Sequence, residues 1–250
     1  MKPKYLLLLV ALATTLIWSC EKDDDTPAPT IGNAKVVFNH VWAASAEPFF
    51  MGVNTFHPKT GDTLNFSEFK YYVSNLRFKK ADDTWWVATD FYHLVDLNNP
   101  TSFSFTFTGV PVGNYVAVEF LMGIDSARAV SGPYTGDLDA SKGMNPGPDF
   151  IMIKAEGFAP HPTNAPFSYR LSGTYGPDKV TMLKTMNLPA VTPLKVTGTG
   201  TPAVRIVVNP ARLWHSYGSV INGNVTAPGA NAALMAFTFN DAVMVGGVDN

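Results

Sequence analysis

The feature that most limits what this chain can become is a succession of short runs rich in β-branched and aromatic residues. Each is closed by Gly, Pro, Asn or Asp, with no long amphipathic helical pattern between them. Such runs cover Lys35 to His40, Ser67 to Phe78, Trp85 to Asp96, Ser102 to Thr108 and Tyr115 to Gly123. They resume at Phe150 to Glu156, Phe167 to Gly173, Val180 to Leu188, Val204 to Val208 and Ala233 to Phe239. In Ser102-Phe-Ser-Phe-Thr-Phe-Thr108 the aromatic rings take alternate positions, so one face of that strand is apolar and the other hydroxylated. Pro58-Lys-Thr-Gly61 and Val110-Pro-Val-Gly-Asn114 combine the fixed φ of proline with the permissive φ of glycine and predict tight reversals. The expected fold class is all-β, an antiparallel β-sandwich with long Pro/Gly-rich loops at Met144 to Asp149, Ala159 to Pro166 and Pro189 to Pro202. Helical expectations are confined to Leu138 to Lys142 and to Asn209 to His215, where Pro210 suits a first-turn position; Gly218 to Asn250 reads as further strand and loop.

The N-terminus is of a different kind. Lys2 and Lys4 precede an apolar run from Leu6 to Trp18 that is too short to span a bilayer, the pattern of a secretory signal. It ends at Ile17-Trp18-Ser19-Cys20, and Cys20 is the one cysteine of the chain. This arrangement resembles the lipobox of bacterial lipoproteins, which implies cleavage after Ser19 and acylation of Cys20. Residues 1–19 are thus expected to be signal, 20–34 a lipidated and flexible acidic, Pro-containing linker, and 35–250 one domain. The acidic cluster Glu21 to Asp25 is either a plain charged spacer or, by its resemblance to the export tag of Bacteroidota lipoproteins, a signal for the outer face of the outer membrane. With no second cysteine the domain must hold without disulfides, and 46% hydrophobic residues supply the core that this demands.

Charge and motifs narrow the function. Eighteen basic against 20 acidic residues leave no surplus to neutralise phosphates, so nucleic acid is not an expected partner. No G-x-S-x-G elbow, H-E-x-x-H helix or strand-to-helix G-x-G-x-x-G occurs, and Ser67-Glu-Phe-Lys70 matches S-x-x-K only on a predicted strand, where the two side chains diverge; the chain is not expected to be an enzyme. Of the histidines at 40, 57, 93, 161 and 215, none pairs at a local ligand spacing. Asp125, Asp137 and Asp139 suit either a hard cation or the capping of turns, and capping is the preferred reading.

The order of several short motifs is similar to that of the MbnP-like family. They are Lys59-Thr-Gly-Asp62, Phe69-Lys-Tyr-Tyr-Val-Ser-Asn75, Tyr92-His-Leu-Val-Asp96, Val112-Gly-Asn-Tyr115, Phe120-Leu-Met-Gly-Ile-Asp-Ser126 and Ser131-Gly-Pro-Tyr-Thr-Gly-Asp-Leu-Asp139, leading to Gly143-Met144. The resemblance implies an extracytoplasmic β-sandwich, copper bound by histidines and an oxidised tryptophan, and a diheme partner protein that makes this modification. It points to His40 and His93 as metal ligands, and to Asn75, Asp96, Asp125 and Asp139 as structural motif positions. The chain departs from the family twice: Asn145-Pro-Gly-Pro-Asp-Phe150 replaces the usual tryptophans, and Arg170 stands where many members have a histidine. The expected function is a cell-envelope lipoprotein of the outer membrane with a weakened copper site. The alternative is a metal-free surface module that recognises a protein, peptide or glycan through its loops, with Trp85-Trp86 offering an aromatic surface.

Overall fold

The computed structural model describes residues 29–44, 47–145, 149–161 and 164–250; Cys20, the signal sequence and most of the linker lie outside the described residues. The strands in chain order are β1 (Ile31–Trp42), β2 (Glu47–Pro48), β3 (Thr55–Phe56), β4 (Thr63–Lys80), β5 (Trp85–Val87), β6 (Tyr92–Asp96), β7 (Ser104–Pro111) and β8 (Gly113–Met122). They continue as β9 (Ile151–His161), β10 (Ala165–Ser172), β11 (Met182–Asn187), β12 (Leu194–Val196), β13 (Ala203–Val208) and β14 (Val243–Asp249). Two helices accompany them, α1 (Ser126–Val130) and α2 (Ala230–Asp241), with single 3₁₀ turns at Pro100–Phe103, Gly136–Leu138, Ala140–Lys142 and Pro210–Trp214.

The strands form two sheets. In the smaller, β14, β13, β1 and β2 follow one another and β7 also pairs with β1; in the larger the order is β10-β9-β4-β8-β11, with β3, β5 and β6 on β4 and β12 on β8. The all-β expectation holds, and the layers are a sandwich with one exception to antiparallel pairing: β1 runs parallel to β13, Lys35 opposite Ala203 through His40 opposite Val208. Ala34, Val36 and Phe38 alternate inward from β1, and Phe38 meets Tyr71 of β4 edge-on at 6.1 Å and Phe120 of β8 at 6.0 Å, which closes the two sheets on a dry aromatic seam. Each such fully buried ring contributes on the order of 1.5–3 kcal/mol by its removal from water.

β4, at 18 residues, carries the larger sheet. Lys70 is opposite both Lys154 of β9 and Asp96 of β6, and Val73 is opposite both Met122 of β8 and His93 of β6. Since a residue has only two edges, β9 and β8 lie end to end along one edge of β4 and β6 and β5 along the other. The change from β9 to β8 falls at Tyr72, and that from β6 to β5 at Asn75 and Leu76; Asn75 takes a left-handed φ of 53° and interrupts the ladder to β8 between Ser74 and Arg77. Asparagine tolerates this conformation better than other residues with a Cβ.

The C-terminal segment departs from the sequence reading. Ala233 to Phe239, expected as a strand, lies within α2, where Ala232, Met235, Ala236 and Phe239 are buried at helical spacing. Phe239 reaches the seam, 5.7 Å from Phe69 and 5.5 Å from Tyr71. The run Trp85 to Asp96 is two strands, parted by a turn in which Asp90 has a φ of 46°. The expected loop Ala159 to Pro166 lies in strands at both ends, Ala159 to His161 in β9 and Ala165 with Pro166 in β10, and Asn209 to His215 is the 3₁₀ turn led by Pro210.

Gly157 shows how closely β9 approaches β4: a Cβ there would lie 2.1 Å from the carbonyl oxygen of Asn65 and 2.8 Å from the Phe167 ring. Neither a backbone carbonyl in a sheet nor a core ring can retreat cheaply. Gly157→Ala is therefore expected to cost about 1–3 kcal/mol in urea denaturation; an unchanged midpoint would mean that the two strands do not meet as described.

Candidate functional site

The motif residues gather on the outer side of β4 and around the open side of β6. Asp125 closes β8's exit and caps α1: its Oδ1 accepts the Arg128 N–H at 2.9 Å, and its Oδ2 accepts the Tyr92 hydroxyl at 2.7 Å and the Asn75 amide at 3.1 Å. Burial pushes its carboxyl up, but the donors from Arg128, Tyr92 and Asn75 outweigh this and hold it below the ordinary aspartate range. Tyr92 responds in the opposite sense, raised to about 12 by burial, by its bond to Asp125 and by that residue's charge. The Arg128 guanidinium lies 4.9 Å above the Tyr92 ring. Asp139 caps the turn Ala140–Lys142 through Ser141 N–H at 2.8 Å. Asp96 accepts the Asn98 N–H at 3.0 Å and faces Lys70 at 3.6 Å.

Asp137, read from the sequence with Asp125 and Asp139 as a cation ligand or a cap, holds the segment after α1 against β6. Its carboxylate accepts the Leu94 N–H at 3.0 Å and contacts His93 Nδ1 at 3.0 Å, while its carbonyl accepts the Tyr72 hydroxyl at 2.8 Å. The second nitrogen of His93, Nε2, lies 2.7 Å from the Ser102 carbonyl. Both ring nitrogens thus face oxygen acceptors, and neither turns a lone pair outward.

His40 has another environment. Its Nε2 bonds the Tyr71 hydroxyl at 2.9 Å, Phe103 lies 4.7 Å away edge-on, and Nδ1 is buried without a partner. Burial pushes this imidazole down to about 4, so it is neutral at physiological pH. His57 is a structural residue: Nε2 donates to the Ala211 carbonyl at 2.9 Å and Nδ1 accepts the Thr60 N–H at 3.1 Å, fixing the 57–62 turn on the last 3₁₀ turn. Asp62 extends the same junction, buried and accepting the Val220 N–H at 2.6 Å and the Ser219 hydroxyl at 3.1 Å. Among the described residues, no group of three or more His, Cys, Asp or Glu side chains is placed to hold a metal ion.

The two departures from the family pattern have structural places. Arg170 donates to Glu156 at 2.6 Å on the outer face of the larger sheet, where Lys154 and Lys70 pair with Glu68 in the same band. Phe150 is buried in the core, 6.1 Å from Tyr72 and 5.1 Å from Tyr134.

One groove of about 520 Å³ opens between the β5–β6 edge of the larger sheet and β7 of the smaller. Trp86, Phe91, Phe105 and Phe107 form its floor; Phe91 lies 4.6 Å from Phe105 and Trp86 5.4 Å from Phe107, while Thr89, Asp90, Thr106 and Thr108 line its rim. The adjacent tryptophans diverge, as strand alternation requires: Trp86 stacks on Phe78 at 5.8 Å, and Trp85 lies under the Arg77 guanidinium at 4.2 Å on the outer face.

A family model described as MbnP matches residues 31–232. Among solved structures, MbnP from Methylosinus trichosporium is similar over 81% of this chain and 84% of that one, with a TM-score of 0.54 at 11% identity, a likeness of fold. No curated protein sequence matches.

Asp125 offers a direct test of the motif cluster. Its folded carboxyl titrates below the unfolded value, so its contribution is complete above the unfolded pKa and is lost as pH falls through the folded one. Asp125→Ala is expected to cost about 0.5–2 kcal/mol at neutral pH, as for a lost helix cap. The gap to the unsubstituted protein should close on acidification; a gap independent of pH would remove the carboxylate from this account.

Proposed function

The chain belongs to the MbnP family, and on that premise we propose that it is a non-enzymatic binding module of the cell envelope that recognises its partner through side chains and loops and not through a bound copper ion. The observation that carries this reading is the state of the two candidate ligands. Copper would need a lone pair from His93, yet both its nitrogens already serve the Asp137 carboxylate and the Ser102 carbonyl. His40 offers one unpartnered nitrogen, but it is buried beside Phe103 and Tyr71, and the described residues bring no set of three donors together. The residues present do not fit the metal. Arg170, protonated and paired with Glu156, cannot replace the missing histidine. With the copper site goes the reason for a diheme partner.

In this reading Cys20 carries the lipid, the acidic linker spaces the domain from the outer membrane, and the aromatic groove between β6 and β7 is the recognition surface. Copper titration of residues 29–250 with Cu(I) and Cu(II) is expected to show only weak binding that His40→Ala and His93→Ala leave unchanged. Tight stoichiometric binding lost in either variant would overturn the reading and restore the copper site. The anchor is tested separately: Cys20→Ser should move the protein from the membrane to the soluble fraction, and unchanged fractionation would remove the lipid from the proposal.

A further inference from the structure

The aromatic groove is walled on one side by a strand edge, and the direction of that edge can be worked out. Lys35 of β1 donates its N–H to the Pro202 carbonyl at 2.8 Å and so turns its backbone groups toward β13. Backbone direction alternates along a strand, so Ala34 and Val36 turn the other way, toward their partners Phe107 and Phe105 of β7. Thr106, opposite Lys35, together with Ser104 and Thr108 opposite Val37 and Asn33, must then point N–H and C=O away from β1. Among the described residues β7 pairs with β1 alone, and Thr106 and Thr108 border the groove. They repeat every second residue, at the spacing of about 7 Å that a neighbouring strand presents.

Two other edges of the fold are blunted. The outer edge of β10 is closed by the Arg170 N–H bond to the Val225 carbonyl at 2.7 Å and by Asn224, whose side chain takes the Ser168 N–H at 2.8 Å. β14 is broken by Gly247, with a φ of 148° and a register shift opposite it. β7 has such a break only at its far end, where Gly109 takes a φ of 70° beside the register shift between Gly32 and Asn33; from Ser104 to Thr108 it pairs regularly with β1 and contains no charged residue and no proline.

We propose that β7 accepts an extended peptide segment of a partner protein, added antiparallel as a further strand of the smaller sheet. This rests on the reading of the groove as the recognition surface and names what fills it. In that geometry the incoming residues that bond Ser104, Thr106 and Thr108 place their side chains on the hydroxylated outer face, and the alternate residues enter the groove over Phe91, Trp86, Phe105 and Phe107. Their side chains are therefore apolar. The charged residue on the rim is Asp90, exposed and anionic, so the segment is basic or neutral there and not acidic. The opposite wall is firm: Ala88 N–H bonds the Leu76 carbonyl at 2.9 Å and the Phe91 carbonyl accepts the Asn75 N–H at 3.0 Å, so the groove exists before it is filled.

The probe is the synthetic peptide acetyl-Lys-Thr-Val-Thr-Val-Thr-Val-amide, titrated into residues 29–250 and followed by amide NMR shifts. Shifts centred on β7 and the 87–91 turn are expected. Methylating the threonine amides of the peptide, which would face β7, should abolish binding, whereas methylating the valine amides should spare it. Thr106→Pro removes an outward N–H without touching the ladder to β1 and should weaken binding by about tenfold. Replacing the peptide lysine by glutamate should weaken it further, and Asp90→Asn should erase that difference. Equal binding by both methylated peptides, or no shift with the unmodified one, would overturn strand addition while leaving the copper titration, and the reading it tests, untouched. Concentration-dependent dimerisation of the protein alone, abolished by Thr106→Pro, would overturn the peptide in favour of a second copy. Should Thr106→Pro fail to fold, the methylated peptides decide the matter without it.

Discussion

The larger sheet depends on one strand being paired along both edges over nearly its whole length. β4 meets β9 and then β8 on one side and β6 and β5 on the other, so most of the sheet's backbone bonds pass through it. Such a strand cannot continue with perfect regularity where one neighbour stops and the next begins, because the second arrives with its own register. One such irregularity sits at Asn75, where β6 gives way to β5 and the ladder to β8 shifts. Its left-handed backbone takes up the shift, its N–H is spent on the Phe91 carbonyl, and its amide side chain reaches Asp125, just past the end of β8. Tyr92 and α1 gather on the same carboxylate, so one acidic group coordinates a strand break, a helix start and an edge strand.

Much of this architecture was legible in the residues, and the parts that were not have physical reasons. The alternating aromatics of Ser102 to Thr108 and the Pro58 to Gly61 reversal carry period-two and turn signals that local chemistry enforces. The helix α2 was hidden because Phe237-Thr-Phe239 imitates strand alternation, although Ala232, Met235, Ala236 and Phe239 keep a helical spacing that a longer window reveals. β14 was hidden because Gly246 and Gly247 interrupt it. The surroundings of His40 and His93 were beyond reach: Tyr71 is 31 positions from the one, and Asp137 arrives on a turn whose path nothing in its own sequence fixes.

The positions that resemble the family are those that hold strands in register or cap turns, and they remain in place. The two histidines that the resemblance singles out make internal contacts: His93 bridges the 3₁₀ turn before β7 to the segment after α1, and His40 braces the core through the Tyr71 hydroxyl while its Nδ1 has no partner. An imidazole kept neutral by burial and one surrounded by acceptors are both useful to a sandwich without disulfides, since each joins segments far apart in sequence. Asn75, Asp125 and Asp137 complete the same work on the outer side of β4.

The parallel pairing of β1 with β13 also sets an order of events. A chain delivered N-terminus first emits β1 early, but the neighbour that turns it into an interior strand begins at Ala203, and Asp62 waits for Val220. Only the short β2 and β7 are available sooner, so the smaller sheet remains incomplete until most of the polypeptide has emerged. Such long-range closure makes folding slow to commit. A first strand with one of its two long partners near the far end of the chain is a built-in delay, one that keeps the smaller sheet open until that end arrives.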